Sequence, residues 1–170
     1  RLPVWEQDLL FRDAFHLSCV PCYQEIARRI GVKRMNDYLQ KFQYGNMKVD
    51  STNLDLFWLE GESTISQFQQ IDFLSNFYFW NLPISLRTFG IMKRLMIIDK
   101  NDHYALSAKT GWAIRNEKNY GWFVGYLEKG EEVYFIATHI EPSESFNMDM
   151  FPKIRSDISL VAFKQLGVLN

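Results

Sequence analysis

The sequence predicts an α+β fold, an antiparallel sheet flanked by helices. Three observations carry this. Apolar residues recur at helical spacing through most of the chain up to Leu95. Between residues 104 and 140 the pattern changes to apolar runs split by short turns, as in a meander of strands. After Pro152 the helical spacing returns. Helices, then consecutive strands, then a helix is the α+β order.

The elements follow in turn. Residues 5–16 mix Trp5, Leu9, Leu10 and Phe15 with Glu6, Asp8, Arg12 and Asp13, which predicts an amphipathic helix. Pro21 suits a helix's first turn, where the amides lack partners in any case. Val20, Tyr23, Ile26, Ala27 and Ile30 then share one face, and Gly31 ends that helix. Another begins soon after, with Met35, Tyr38, Leu39 and Phe42 as its buried side. Residues 43–64 are irregular, and so long a loop in a compact domain is usually functional. Ser66-x-x-Gln69 reads as a capping box that opens a helix burying Phe68, Ile71, Leu74 and Tyr78. A further helix follows Pro83 through Leu86, Phe89, Ile91 and Leu95. Tyr104 to Ile114, Gly121 to Leu127 and Glu132 to Ile140 read as neighbouring strands, with Glu128-Lys129-Gly130-Glu131 as the last turn. The last two runs are apolar on both faces, so the sheet is expected to be covered on both sides. The final helix starts near Pro152, buries Ile154, Ile158, Val161, Ala162 and Leu166, and ends at Gly167.

A length of 170 residues suits one domain with its own core. A hydrophobic content of 47% with 16% aromatics excludes a disordered chain. A formal net charge of -1 gives no reason to expect nucleic acid or an anionic membrane as partner. No apolar run approaches the ~20 residues of a membrane span, and Arg1-Leu2-Pro3-Val4-Trp5 does not read as a secretory leader. The opening residue is not methionine, so a cut or processed piece is expected. Cys19 and Cys22 form a Cys-x-x-Cys without the βαβ context of a redox pair. Two further ligands for zinc are also missing. They are expected as two small apolar residues at a helix start, and no metal site is expected.

The chemistry centres on Lys109-Thr110-Gly111-Trp112, in a predicted strand. Glycine there lets another backbone approach closely, and the lysine sets a positive charge beside that approach. Such an edge suits an acylating serine site that docks an anionic, amide-like substrate. Three other stations precede it: Ser18-x-Val20, Tyr44-Gly45-Asn46 and Trp58-Leu59-Glu60-Gly61. Each has a plainer reading. Ser18 can cap its helix, Tyr44-Gly45-Asn46 can be a turn, and Trp58 can be a core aromatic. Arg155 fits the plain reading poorly, because a helix's first turn disfavours a cation. A helix N-terminus with an arginine makes a carboxylate cradle.

In this order and spacing, followed by Gly121-Trp122-Phe123-Val124-Gly125, the stations resemble the class D serine β-lactamases, the oxacillinases. The likeness runs from Trp5-x-x-Asp8-x-x-x-Arg12-x-Ala14, through Tyr23-Gln24-Glu25-x-Ala27-Arg28-Arg29-Ile30-Gly31, to Phe151-Pro152-x-x-Arg155. It implies the fold of penicillin-recognising β-lactamases and transpeptidases, β-lactams as small-molecule partners, and a periplasmic or secreted home. By that resemblance Ser18 would pass a proton between the nucleophile's surroundings and the leaving nitrogen. Val20 would be an apolar lid over a carbamylated lysine, the family's general base. The Trp58 indole would donate to that carbamate, and Leu59 would line the pocket. Tyr44 and Asn46 would shape the site wall. Lys109 would hold positive potential, with Gly111 beside it in the substrate edge. The Trp112 N–H would be an oxyanion donor. Thr110 and Arg155 would take the substrate carboxylate, Arg155 being suited to a forked contact.

One departure matters. The family's Ser-x-x-Lys, which carries nucleophile and carbamylated lysine, should precede Ser18, and no such motif stands there. The expectation is a single domain over 1–170 whose N-terminal segment, a partner of the same protein, is absent. No cofactor is expected beyond the carbon dioxide-derived carbamate of that segment. The resemblance leaves two functions open besides an inactive fragment. One is an enzyme that hydrolyses β-lactams. The other is a receptor domain that is acylated and stays so. Val20 and Trp58-Leu59 lean towards the enzyme, because they keep a base dry and oriented.

Overall fold

A computed structural model of the chain describes residues 2–169. Pro3–Trp5 is a lone 3₁₀ turn, and regular helix begins with α1 (Phe11–His16). α2 (Val20–Ile30) and α3 (Val32–Phe42) are separated by Gly31, whose φ of 77° is readily reached without a Cβ. A turn-rich segment leads to α4 (Gln67–Tyr78), opened by Ser66. The Ser66 hydroxyl accepts from the Gln69 amide while the Gln69 side chain accepts from the Ser66 amide, the expected capping box. α5 (Leu86–Met96) is capped by Ser85 and runs straight into β1 (Ile97–Lys100). β2 (Ala105–Arg115), β3 (Lys118–Lys129), β4 (Glu132–Ile140) and α6 (Phe151–Gln165) complete the chain.

The strands form one antiparallel sheet in the order β1-β2-β3-β4. Consecutive order follows from the short connections, since two-residue loops at 116–117 and 130–131 leave each strand no other neighbour. Side chains alternate between faces, so each strand serves two cores. On one face Leu106 and Leu127 meet Phe163 of α6 with Val168 and Leu169. On the other, Tyr126 packs with Phe15, Leu74, Phe77, Leu82, Leu95 and Met96 from the helices before the sheet. The sheet is thus covered on both faces, as its apolar runs require.

Several expectations fail in detail. Residues 5–16 are helical only from Phe11. β1 was not expected, and the two central strands extend to Arg115 and back to Lys118. Tyr38 and Phe68 are exposed, Phe68 by 81%. In α6 the buried residues are Phe151, Ser159 and Phe163, while Ile158, Val161 and Leu166 face outward. α6 carries apolar residues on more than one face, so periodicity alone could not choose the inward one. The two cysteines are not separate apolar fillers. They form a Cys19–Cys22 disulfide across the first turn of α2.

Candidate active site

Ser18 lies in the bend between α1 and α2, with a left-handed φ of 50°. That conformation is costly for a serine and persists only when its surroundings over-determine it. Here the Ser18 amide donates to the Phe15 carbonyl at 3.2 Å and the Cys19 amide to the Ala14 carbonyl at 2.9 Å. The residue after it is wholly buried and disulfide-bonded. Cys19, not Ser18, is the N-cap of α2, its Sγ accepting from the Cys22 amide at 3.3 Å. Ser18 therefore does not serve the helix. Its hydroxyl turns to the sheet.

Lys109 meets it there. Its Nζ donates to Ser18 Oγ, across 91 residues of sequence, and to the Thr110 carbonyl at 3.0 Å. The ammonium sits 5.9 Å from the Phe15 ring centroid. Among the described residues no carboxylate pairs with it. Burial pulls its pKa from 10.5 to about 8, and the charge of Arg155 adds to the fall. A lysine so placed gives up a proton more readily than a free one.

Arg155 reaches the same strand from α6. Its Nη1 donates to the Gly111 carbonyl at 2.7 Å and its Nη2 to the Pro152 carbonyl at 3.2 Å. Its Nε is buried without a partner among the described residues. The aliphatic stem lies in space that Gly121 leaves, because a Cβ there would stand 2.8 Å from Cγ and from Phe151 Cζ. Trp112, opposite Gly121 in the register, packs edge-on against Phe151 at 5.1 Å and donates its indole N–H to Asn119. Thr110 is half-buried on the same strand. Lys109, Thr110, Gly111, Trp112 and Arg155 thus form one strip with Ser18 at its end.

Val20 is the first residue of α2, half-buried, two positions beyond Ser18. Trp58 and Leu59 lie in the turn-rich segment, and Trp58 stands edge-on to Phe57 at 5.2 Å. The Trp58 indole N–H has no acceptor among the described residues, while the Trp58 and Leu59 carbonyls accept from Arg115. Tyr44 and Asn46 are held elsewhere. The Tyr44 hydroxyl exchanges hydrogen bonds with Gln70 of α4, and its ring meets Phe73 at 4.7 Å. Asn46 pairs with Thr64 in an isolated β-bridge, and Tyr44 and Asn46 both line a groove against α3. Gly45 allows that bridge, since a Cβ would fall 2.7 Å from the Thr64 carbonyl.

Sequence reasoning missed Arg115, the disulfide and the Gly121 recess. Arg115 had a faint signal: it continues the every-second-residue side of Lys109, Gly111 and Ala113. The Gly121 recess had none, because a close approach between distant segments leaves no local pattern.

The chain has clear relatives. The profile described as "Penicillin binding protein transpeptidase domain" matches residues 2–155. Among curated proteins, β-lactamase OXA-5 of Pseudomonas aeruginosa is 42% identical over 149 residues, 86% of this chain and 52% of that protein. β-Lactamase OXA-48 of Klebsiella pneumoniae is 37% identical over 157 residues, 92% and 59% respectively. The chain thus spans between half and three fifths of these two relatives. Among solved structures, the class D β-lactamase YbXI from Nostoc superposes with a TM-score of 0.92 at 40% identity, covering 99% of this chain and 70% of that one. A class D β-lactamase from Sebaldella termitidis gives 0.92 at 36% identity, covering 100% and 68%.

Proposed function

The chain belongs to the penicillin-binding-protein transpeptidase family and, within it, to the class D β-lactamases, and on that premise we propose that it forms the larger part of a β-lactam-hydrolysing serine enzyme. The observation that carries this is the Lys109 ammonium donating to the Ser18 hydroxyl. A serine held off its helix, with a desolvated lysine beside it, is built to relay a proton. In acylation Ser18 takes the proton released near the nucleophile and hands it to the lactam nitrogen as that nitrogen leaves. Lys109 orients the hydroxyl and offers positive potential to the developing anion. The Trp112 amide is proposed as an oxyanion donor, a kind of contact whose loss costs ~3 kcal/mol.

The substrate carboxylate is proposed to meet Thr110 and Arg155. The orphaned, buried Arg155 Nε supports this, because an unpaired buried donor is costly unless a ligand satisfies it. The nucleophile and the lysine that would be carbamylated are proposed to come from a Ser-x-x-Lys that does not stand before Ser18 in these 170 residues. The residues present suit such a base: Val20 and Leu59 are apolar, and the Trp58 indole N–H is uncommitted among the described residues. Bound nearby, a carbamate would supply a general base for deacylation. Tyr44 and Asn46 are proposed to shape the wall through the Asn46–Thr64 bridge rather than by touching the reacting atoms. The disulfide favours an oxidising compartment, consistent with a periplasmic or secreted home. Among the described residues no helix is long and apolar enough to cross a membrane.

The experiment supplies the 170-residue chain, and a version extended by the preceding coding sequence, with a chromogenic cephalosporin. Turnover by the extended protein alone, lost in Ser18→Ala and Lys109→Met, is the expected result. A stable acyl-enzyme without turnover would favour the β-lactam-sensing receptor instead. Turnover by the short chain, purified free of any longer form, would sink the placement of the nucleophile upstream. Trp58→Phe in the extended protein should spare acylation and slow deacylation, with bicarbonate restoring part of the rate.

A further inference from the structure

At the far end of β2, four carbonyls converge on one guanidinium. Arg115 Nε donates to the Leu59 carbonyl at 3.1 Å and Nη2 to the Trp58 carbonyl at 3.3 Å. Nη1 donates to the Ser63 carbonyl at 2.7 Å and reaches the Gly61 carbonyl at 3.4 Å. Among the described residues Arg115 has no acidic partner, and no backbone amide competes for those four carbonyls. The segment they belong to is a run of turns without helix or strand. Its own short-range bonds stop at the Glu60 amide, and the Thr64 amide then returns to Asn46. Between those points the Ser63 hydroxyl also accepts from the Lys48 amide at 3.0 Å, and Arg115 is the side chain that ties the loop's own carbonyls to the sheet.

We infer that Arg115 is a positioning residue, fixing the loop of Trp58 and Leu59 against the strand that bears Lys109. Arg115 and Lys109 share one strand and one side of it, so loop and ammonium are referred to the same rigid element. The hairpin holds Arg115 in place: Asn116 and Glu117 both adopt positive φ, giving the tight two-residue turn that matches strand twist. Lysine could not replace it, because four carbonyls spread over six residues need the planar, forked donor set of a guanidinium. The functional consequence rests on the proposed role of Trp58 in deacylation.

Arg115→Met and Arg115→Lys test this with two readouts. The first is amide hydrogen exchange in this chain. Losing several bonds to a charged donor should speed exchange at Leu59, Glu60 and Thr64 by about tenfold or more, with residues 105–113 and α4 unchanged. Unchanged exchange at those three amides overturns the inference. The second readout, in the extended protein, is the split between acylation and deacylation. Deacylation should fall by about tenfold in both variants while acylation holds, and bicarbonate should recover part of it. Equal losses in both steps, or faster exchange with normal deacylation while Trp58→Phe is slow, overturn the positioning role. Normal deacylation in Trp58→Phe itself would instead remove the tryptophan from the reaction, and exchange alone would then decide whether Arg115 holds the loop. Should Arg115→Met fold poorly, Arg115→Lys keeps a charge and a long stem and carries the same comparison.

Discussion

Lys109 is a cation in a place that disfavours cations, and its titration should report it. The folded lysine loses its proton near pH 8, whereas the unfolded one keeps it to about 10.5. Between those values the unfolded chain holds more protons, so stability rises with pH there and is flat below. Urea unfolding at intervals from pH 7 to 10 should show this rise in the wild type. Lys109→Met should abolish it, and the same slope in both proteins would refute the assignment. Arg155→Ala should move the lysine's midpoint upward, because a like charge has gone. Two glycines make a second comparison at this scale. At Gly125 a Cβ would stand 2.4 Å from the Ser107 carbonyl, part of the neighbouring strand, and at Gly121 it meets side chains. Backbone cannot step aside as a side chain can, so Gly125→Ala should lower the melting temperature more than Gly121→Ala. Each is expected to cost about 1–3 kcal/mol. Only Gly121→Ala should also weaken substrate binding, by shifting Arg155.

Among the elements, α4 is the one whose start is written most plainly in its residues. Ser66 and Gln69 satisfy each other's amides, so the cap is a local event that needs no tertiary partner. Ser66→Ala should cost about 1 kcal/mol and Ser66→Asp little, as read by thermal melting. A loss under a few tenths of a kcal/mol would mean that packing of Leu74 and Phe77 alone sets the helix start. α6 teaches the opposite lesson. Its apolar residues occupy several faces, and the inward one was chosen by the sheet, where Thr138 reaches the buried Ser159 hydroxyl at 2.6 Å. α2 lies between these cases. Its start at Pro21 and end at Gly31 were legible, but the cap is a cysteine whose sulfur is tied to the first turn.

For the molecule as a whole, the surface is the informative feature. Phe68, Leu166, Val161 and Ile158 are exposed by 81%, 72%, 50% and 41%. The last two share the outer stripe of α6 with Ile154. Contiguous apolar surface of this kind promotes association. The 170-residue chain should therefore bind a hydrophobic dye and self-associate as concentration rises. Ile158→Gln with Val161→Gln should reduce both without lowering the melting temperature, because neither side chain is in the core. Dye binding unchanged by the pair would place the sticky surface elsewhere.

Sequence alone determined the α+β class, the consecutive strands, the capping box and the order of the four stations. These depend on residues close together in the chain, through hydrogen-bonding periodicity and turn geometry. Its resemblance to a known family also picks out Ser18, Lys109 and Arg155. Only the tertiary structure decided that Ser18 leaves its helix to Cys19 and turns to Lys109, and that Tyr44 bonds to Gln70. It alone revealed the Gly121 recess and the four carbonyls around Arg115. Those outcomes join segments tens of residues apart. A one-dimensional pattern carries no term for the approach of two distant backbones, and that approach sets each side chain's partner, burial and charge.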